Sequence, residues 1–171
     1  MSVLVSDVER ARSVAATVLD PEVPVLTIED LGILRDVRAA DDGFLEVDLT
    51  PTYSGCPAVE SIEQDVRTAL SSAGFQQVRL RRVLSPAWTT DWMSADGRRK
   101  LAEYGIAPPP GDRAAGGPVH ITLTTRPATV VSCPQCGSTD TAELSRFGST
   151  ACKSLWRCRA CLEPFDHFKA H

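Results

Sequence analysis

The sequence lacks the features of several large protein classes. It has no long apolar run, and its mean hydropathy of −0.09 excludes a chain dominated by lipid-facing helices. It has no excess of positive charge, because 18 Lys and Arg stand against 22 Asp and Glu. The formal net charge of −4 leaves no broad cationic surface to hold a phosphate backbone. We therefore expect neither a membrane nor a nucleic acid among its partners.

The short motifs of common enzymes are also absent. The sequence contains no Gly-x-Ser-x-Gly elbow, no phosphate-binding loop motif and no Gly-x-Gly-x-x-Gly. A ferritin-like di-iron core needs two Glu-x-x-His pairs, and the sequence has none. None of its three histidines lies on the predicted element that carries Cys56, so nothing supports a Cys-His hydrolase. We therefore predict that the chain is not a catalytic oxygenase subunit.

An export signal is missing as well. The first 20 residues carry Asp7, Glu9, Arg10 and Arg12, where a secretory signal needs an uninterrupted apolar stretch. We therefore expect a cytoplasmic location, in which structural disulfides are rare. In that setting the six cysteines of the sequence indicate metal or redox chemistry.

Hydrophobic periodicity predicts an α+β protein. Apolar residues at helical spacing indicate one helix that ends near Asp20 and a second that begins at Pro57, and Ser94 is a candidate cap for a short third helix. Three segments have the pattern of strands, namely 33–37, 44–50 and 75–83. We expect a small N-terminal α/β domain, in which helices cover a three-stranded sheet, followed by a zinc-ribbon β module. The pattern leaves open whether the third strand is parallel or antiparallel.

A proline- and glycine-rich segment separates the two predicted domains. Seven of the twelve residues over 107–118 are Pro or Gly, which is the composition of a tether. We place the N-terminal domain at 1–106 and the cysteine-rich domain at 119–171. Alternation of apolar and polar residues predicts that the second domain opens with a strand over 119–125.

Four of the cysteines form two Cys-x-x-Cys pairs with 21 residues between the pairs. This spacing is typical of a four-thiolate zinc ribbon, in which two turns complete a tetrahedron of sulfur around the metal. The predicted ligands are Cys133, Cys136, Cys158 and Cys161, with ribbon strands over 143–147 and 153–157. We predict structural zinc, and mononuclear iron or an iron–sulfur cluster is the alternative for the same ligands.

The two remaining cysteines each have two interpretations. Cys56 precedes Pro57 at the mouth of the second helix, where unpaired amides and the helix dipole favour a thiolate. It is either a nucleophile or transient metal ligand, or an inert buried cysteine. Cys152 is either a small buried side chain or part of a second site with His167 and His171.

Six segments of the sequence closely resemble the PaaD family, which is associated with bacterial phenylacetyl-CoA epoxidase. The segments are 20–32 (DPEVPVLTIEDLG), 50–57 (TPTYSGCP), 85–93 (SPAWTTDWM), 104–108 (YGIAP), 133–138 (CPQCGS) and 147–158 (FGSTACKSLWRC). The N-terminal domain also resembles iron–sulfur cluster assembly factors. In that family the Asp-Pro-Glu and Asp-Leu-Gly motifs correspond to residues 20–22 and 30–32, and the reactive cysteine corresponds to Cys56.

The resemblance implies a non-catalytic accessory protein of aerobic phenylacetate degradation. In that pathway a di-iron oxygenase, fed by a reductase with an iron–sulfur cluster and flavin, converts phenylacetyl-CoA to a ring epoxide. The implied role is loading metal or iron–sulfur clusters into a client subunit, either the reductase or the oxygenase. The alternative is a structural or electron-transfer subunit of the epoxidase complex that uses a metal-bearing ribbon.

The resemblance also implies roles for particular residues. Cys56 would hold the cargo transiently, and three acidic residues, Asp20, Glu22 and Asp30, would shape the loop around it. The ribbon would bind the client.

Overall fold

The chain folds into two units that divide in sequence after Lys100. The computed structural model describes residues 5–53, 55–110 and 130–170, and the second unit spans Leu101–Ala170. The strand predicted over 119–125 and His171 lie outside the described residues, as does most of the predicted linker. None of the described helices combines the length and the apolar character that crossing a membrane requires.

The first unit contains a three-stranded sheet. β1 (Leu34–Ala39) and β2 (Leu45–Leu49) form an antiparallel hairpin, and β3 (Val78–Arg82) pairs in parallel with β2. The helix α1 (Val5–Ala15) contacts β1, and α2 (Ala58–Ser72) makes the crossover that the parallel pairing of β2 and β3 requires. The predicted α/β domain with helices on a three-stranded sheet is confirmed.

The two faces of β2 have different environments. Leu45, Val47 and Leu49 are buried, and α2 adds Val59, Ile62, Val66 and Leu70 to the same core. Glu46 and Asp48 lie on the opposite face, where arginines of β1 and β3 pair with both carboxylates. A slip of one residue would bury these charges, so this alternation specifies the strand register.

α1 ends at Ala15 and does not continue to Asp20 as the sequence predicts. Beyond the helix the chain forms a closed loop, in which the carbonyl of Val18 accepts the amide of Ile28 at 2.9 Å. The carbonyl of Leu26 accepts the amide of Asp20, also at 2.9 Å. Val18 is therefore buried in the loop. Its apolar side chain continues the helical spacing of the sequence, although the helix has already ended.

Three connections begin or end at one end of this sheet. β1 starts where β2 and β3 end, because the first pair is antiparallel and the second is parallel. The carbonyl of Ile33 accepts the amide of Thr50, and the carbonyl of Leu49 accepts the amide of Val83, both at 2.9 Å. The acidic loop (residues 20–33), the turn after β2 and the segment after β3 therefore all extend from this end.

The segment after β3 carries a short 3-10 helix (Thr90–Trp92) and α3 (Ala95–Glu103). Ser94 caps α3 as predicted, since its Oγ accepts the amide N–H of Gly97 at 2.9 Å. Trp88 is buried in the core of the unit.

The second unit contains a four-stranded sheet. Its strands are β4 (Ile106–Ala107), β5 (Thr141–Ser145), β6 (Lys153–Cys158) and β7 (Pro164–Phe168), in the order β4-β7-β6-β5. β4 and β7 are parallel, and the other two pairs are antiparallel. The predicted C-terminal β module is confirmed.

The sequence predicts only two of these four strands. The segments expected over 143–147 and 153–157 correspond to β5 and β6. Ile106 and Ala107 fall at the junction of the predicted N-terminal domain and linker, yet they pair with β7. A two-residue strand is too short to show alternation, so no sequence pattern identifies it. The limits of the linker at 107–118 stay a prediction.

Gly32 supports a test of the packing of the acidic loop. Its φ is +70°, and a Cβ there would lie 2.7 Å from both the Cβ and the carbonyl oxygen of Trp92. We expect Gly32→Ala to lower the free energy of unfolding by about 3 kcal/mol, because backbone strain and a steric clash add together.

Gly74→Ala is the matched control for this variant. Gly74 has a φ of +95°, but a Cβ there would have nothing within 4 Å. We expect this variant to lose only about 1–2 kcal/mol, the cost of the backbone conformation alone. Urea denaturation measures both losses, and equal losses would contradict the close approach of Trp92 to Gly32.

Candidate functional site

The structure brings four cysteines of the second unit together. The sulfurs of Cys133, Cys136, Cys158 and Cys161 all lie within 4.8 Å of one another. The Cys133 and Cys161 sulfurs are 3.7 Å apart, and those of Cys136 and Cys158 are 3.6 Å apart. A tetrahedral zinc ion with bonds of about 2.3 Å holds its sulfurs about 3.8 Å apart. The four residues therefore fit a closed structural zinc site.

Two similar turns place these sulfurs. In the first, the carbonyl of Cys133 accepts the amide of Gly137 at 2.9 Å, and Gly137 has a φ of +74°. In the second, the amide of Cys161 donates to the sulfur of Cys158 at 3.4 Å, and Leu162 has a φ of +68°. In each turn, the residue directly after the second cysteine has a left-handed backbone conformation.

The cysteines of each turn differ in burial. Cys133 and Cys158, the first of each pair, are buried with Trp156 and Phe165, whereas Cys136 and Cys161 are exposed. The hydrogen bond from the Cys161 amide is the main reason that the pKa of Cys158 falls to about 7. A bound zinc ion would join the small core of this unit to its surface and hold the two turns together.

Cys152 lies outside the four-cysteine cluster. It is buried ahead of β6, and its sulfur is 3.0 Å from the Oγ1 of Thr150. The strand β6 separates it from Cys158, as the sequence predicts.

His167 is 5% exposed, and its ring makes an edge contact with the ring of Trp156. Its Nδ1 is 3.3 Å from the Oγ of Ser154, which also accepts the indole N–H of Trp156 at 2.9 Å. Its Nε2 has no hydrogen-bond partner among the described residues. Burial lowers the pKa of His167 to about 4, so the ring is neutral at pH 7. The second site predicted from Cys152, His167 and His171 stays a prediction.

Cys56 lies directly before α2 in the first unit. Its amide donates to the carbonyl of Tyr53 at 3.1 Å, and its own carbonyl accepts the amide of Val59 at 3.4 Å. Pro57 is the N-cap of α2, and its side chain makes no capping hydrogen bond. The residue is only 9% exposed, so its sulfur lies mostly below the surface at the positive end of the helix dipole.

Two of the acidic candidates accept internal hydrogen bonds. Asp20 is buried, and its Oδ1 accepts the amides of Glu22 at 2.8 Å and Val23 at 2.7 Å. This arrangement closes the first turn of the acidic loop. Glu22 is half-buried in the same turn.

Asp30 holds the other end of the acidic loop. Its carboxylate accepts the amide of Thr27 at 3.1 Å, the hydroxyl of Ser94 at 3.0 Å and the ammonium of Lys100 at 2.7 Å. Burial raises the pKa of Asp30, but these hydrogen bonds, that of Lys100 foremost, outweigh the effect and hold the pKa below its usual value. Sequence reasoning missed Lys100, because a contact between residues 70 apart leaves no periodic signal.

The zinc assignment makes a prediction for two buried cysteines of the ribbon unit. We expect Cys133→Ser to lose its metal and the folded ribbon, because structural zinc supplies about 10–16 kcal/mol of apparent binding free energy. Cys152→Ser is the matched control, and we expect it to retain zinc. Elemental analysis, circular dichroism and an optical spectrum of anaerobically purified protein measure the outcome. A folded, metal-replete Cys133→Ser would contradict the ligand set, and a coloured wild-type protein would indicate iron.

Two family models match the chain in separate regions. The model for an iron–sulfur cluster assembly protein matches residues 9–79, which include Cys56 and the acidic loop. The model for the PaaD zinc beta ribbon domain matches residues 118–169, which include the four clustered cysteines. The first unit also resembles a crystal structure of a domain of unknown function, DUF59, from Bacillus anthracis. That structure has 27% identity and a TM-score of 0.51, and the match covers 55% of this chain and 90% of that one.

Curated relatives match either the first unit or most of the chain. An Fe-S protein maturation auxiliary factor of Porphyromonas gingivalis is 38% identical over 86 residues, or 50% of this chain and 81% of the relative. An Escherichia coli protein named as a subunit of 1,2-phenylacetyl-CoA epoxidase is 50% identical over 150 residues, or 88% of this chain and 85% of the relative. An assembly-type unit and a zinc ribbon, together with this similarity over most of its length, place this chain in the PaaD family.

Proposed function

We propose that this protein is a non-catalytic accessory factor that matures a metal-containing client of a phenylacetyl-CoA epoxidase system. The client is the reductase, and the cargo is iron or an iron–sulfur cluster that Cys56 holds transiently. The observation that carries the proposal is the place of Cys56. It lies at the mouth of α2 in the region that matches an iron–sulfur cluster assembly protein, and the acidic loop extends from the same end of the sheet.

The chemistry of this place suits a labile thiolate ligand. The amides at the start of α2 carry a partial positive charge, which interacts favourably with anionic groups. At 9% exposure the sulfur does not reach a client while the turn is closed. The hydrogen bond from the Cys56 amide to the Tyr53 carbonyl closes that turn. We expect the turn to open when cargo enters or leaves, so that burial protects the bound metal between transfers.

The ribbon is proposed to bind the client. Its four cysteines fit a structural zinc ion and, in this proposal, do not carry the cargo. Apolar side chains are exposed on this unit, among them Leu144, Phe147 and Leu162. Exposed apolar side chains of this kind are suited to contact another protein.

A second candidate function is a stable structural or electron-transfer subunit of the epoxidase. The name of the Escherichia coli relative, a subunit of the enzyme, favours it. Reconstitution with purified oxygenase and reductase, both fully loaded with cofactors, separates the two functions. A maturation factor does not change the turnover of loaded components, whereas a dependence of their turnover on this chain would overturn the maturation role.

The proposal predicts the effect of removing the transient ligand. We expect Cys56→Ser to weaken the binding of Fe(II) by the zinc-loaded protein about tenfold or more, and to lower the cluster content of a co-expressed reductase. The ribbon zinc should be unchanged, because the two sites share no ligand. Cys152→Ser, which also alters a buried cysteine outside the cluster, is the control and should leave both readouts at the wild-type level. An unchanged cluster content in Cys56→Ser would remove Cys56 from the mechanism.

A further inference from the structure

Residues 84–100 contact the acidic loop from a part of the sequence that neither family model matches. The first matched region ends at residue 79, and the second begins at residue 118. We call residues 84–100 the brace. Four of its side chains contact the loop or the residues after it. Trp88 contacts Leu31, and Trp92 contacts Arg35. Ser94 and Lys100 both contact Asp30.

The two tryptophans hold the end of the loop. The indole N–H of buried Trp88 donates to the carbonyl of Leu31 at 2.8 Å. Trp92 stacks under the guanidinium of Arg35, whose central carbon is 3.6 Å from the ring centroid. The backbone of the brace approaches so closely at Trp92 that only glycine fits at position 32.

Ser94 and Lys100 hold the carboxylate of Asp30. The Oδ1 accepts the hydroxyl of Ser94, and the Oδ2 accepts both the amide of Thr27 and the ammonium of Lys100. The carbonyl of Asp30 also accepts the amide of Ser94 at 2.8 Å. Both carboxylate oxygens of Asp30 are therefore engaged inside the unit, and the residue is 7% exposed.

These contacts conflict with a role for Asp30 as a ligand of the cargo. A metal ion bound by either oxygen would have to compete with the ammonium of Lys100 or the hydroxyl of Ser94. It would also lie beside a positive charge, which opposes the binding of a cation. The same contacts are well suited to hold the loop in one conformation.

We infer that Asp30 is the internal anchor by which the brace fixes the acidic loop, and that Lys100 is a positioning residue for the cargo site that acts through Asp30. Lys100 also pairs with Asp96 at 3.0 Å, but Asp96 is exposed and lies outside the acidic loop. The inference rests on the proposed function for its link to cargo. The anchoring itself depends only on the contacts within the first unit.

A double-mutant cycle tests the inference. The variants are Asp30→Asn, Lys100→Met and the two combined, with Lys100→Arg as the conservative variant that keeps the charge. Each is examined in the zinc-loaded full chain by urea denaturation, by amide hydrogen exchange of residues 27–33, and by the affinity for Fe(II) alone.

If Asp30 is an anchor, the two single variants should have similar effects on stability, and these effects should not be additive. Each should raise the unfolding equilibrium constant about tenfold, and the double variant should be no worse than either single variant. Exchange of the loop amides should accelerate to a similar extent in all three variants. Lys100→Arg should restore most of the protection, because it can still donate to Asp30. Additive losses of stability would overturn the anchor.

The Fe(II) affinity separates an anchor from a ligand. The inference predicts that Asp30→Asn and Lys100→Met change the affinity in the same direction and by a similar factor. A ligand role predicts opposite directions, because removing Lys100 would free the carboxylate and strengthen binding, and that result would overturn the inference. If the wild-type protein and Cys56→Ser bind Fe(II) equally, the proposed function fails. The stability cycle then still decides whether Asp30 anchors the brace.

Discussion

The pairing of β2 with both of its neighbours is the constraint on which the candidate site depends. β2 is antiparallel to β1 and parallel to β3, so the start of β1 and the ends of β2 and β3 lie at one end of the sheet. This pairing brings loops that are distant in sequence to the same end of the sheet. The alternation of Leu45, Val47 and Leu49 with Glu46 and Asp48 keeps the strands in register, because a slip would bury charge.

The second unit depends on a different source of stability. Its buried cluster is small and includes two of the four sulfurs, so the apolar core and the metal site are one structure. A unit of this size buries too little apolar surface to be comfortably stable without a further link, and a structural metal provides it. The chain thus combines a unit held by its core with a unit held by thiolate ligands. The proposed transient site at Cys56 shares no cysteine with the four-cysteine cluster.

The acidic loop contains two carboxylates that accept hydrogen bonds from within the first unit. Asp20 closes the first turn of the loop through two backbone amides, and Asp30 ties its far end to Ser94 and Lys100. Both charges are compensated internally, which makes their burial tolerable. The acidic loop is therefore held from within the unit, whereas Cys56 lies in a turn closed by a backbone hydrogen bond.

The sequence by itself determined the features that depend on local spacing. Two Cys-x-x-Cys pairs specified the metal site, the alternation over 44–50 indicated β2, and Ser94 was identified as a helix cap. The early end of α1, the two-residue strand β4 and the parallel placement of β3 were decided only by tertiary structure, as was the pairing of Asp30 with Lys100. The physical reason is that periodicity records which face of an element is buried, but not which distant residue buries it or satisfies its charge.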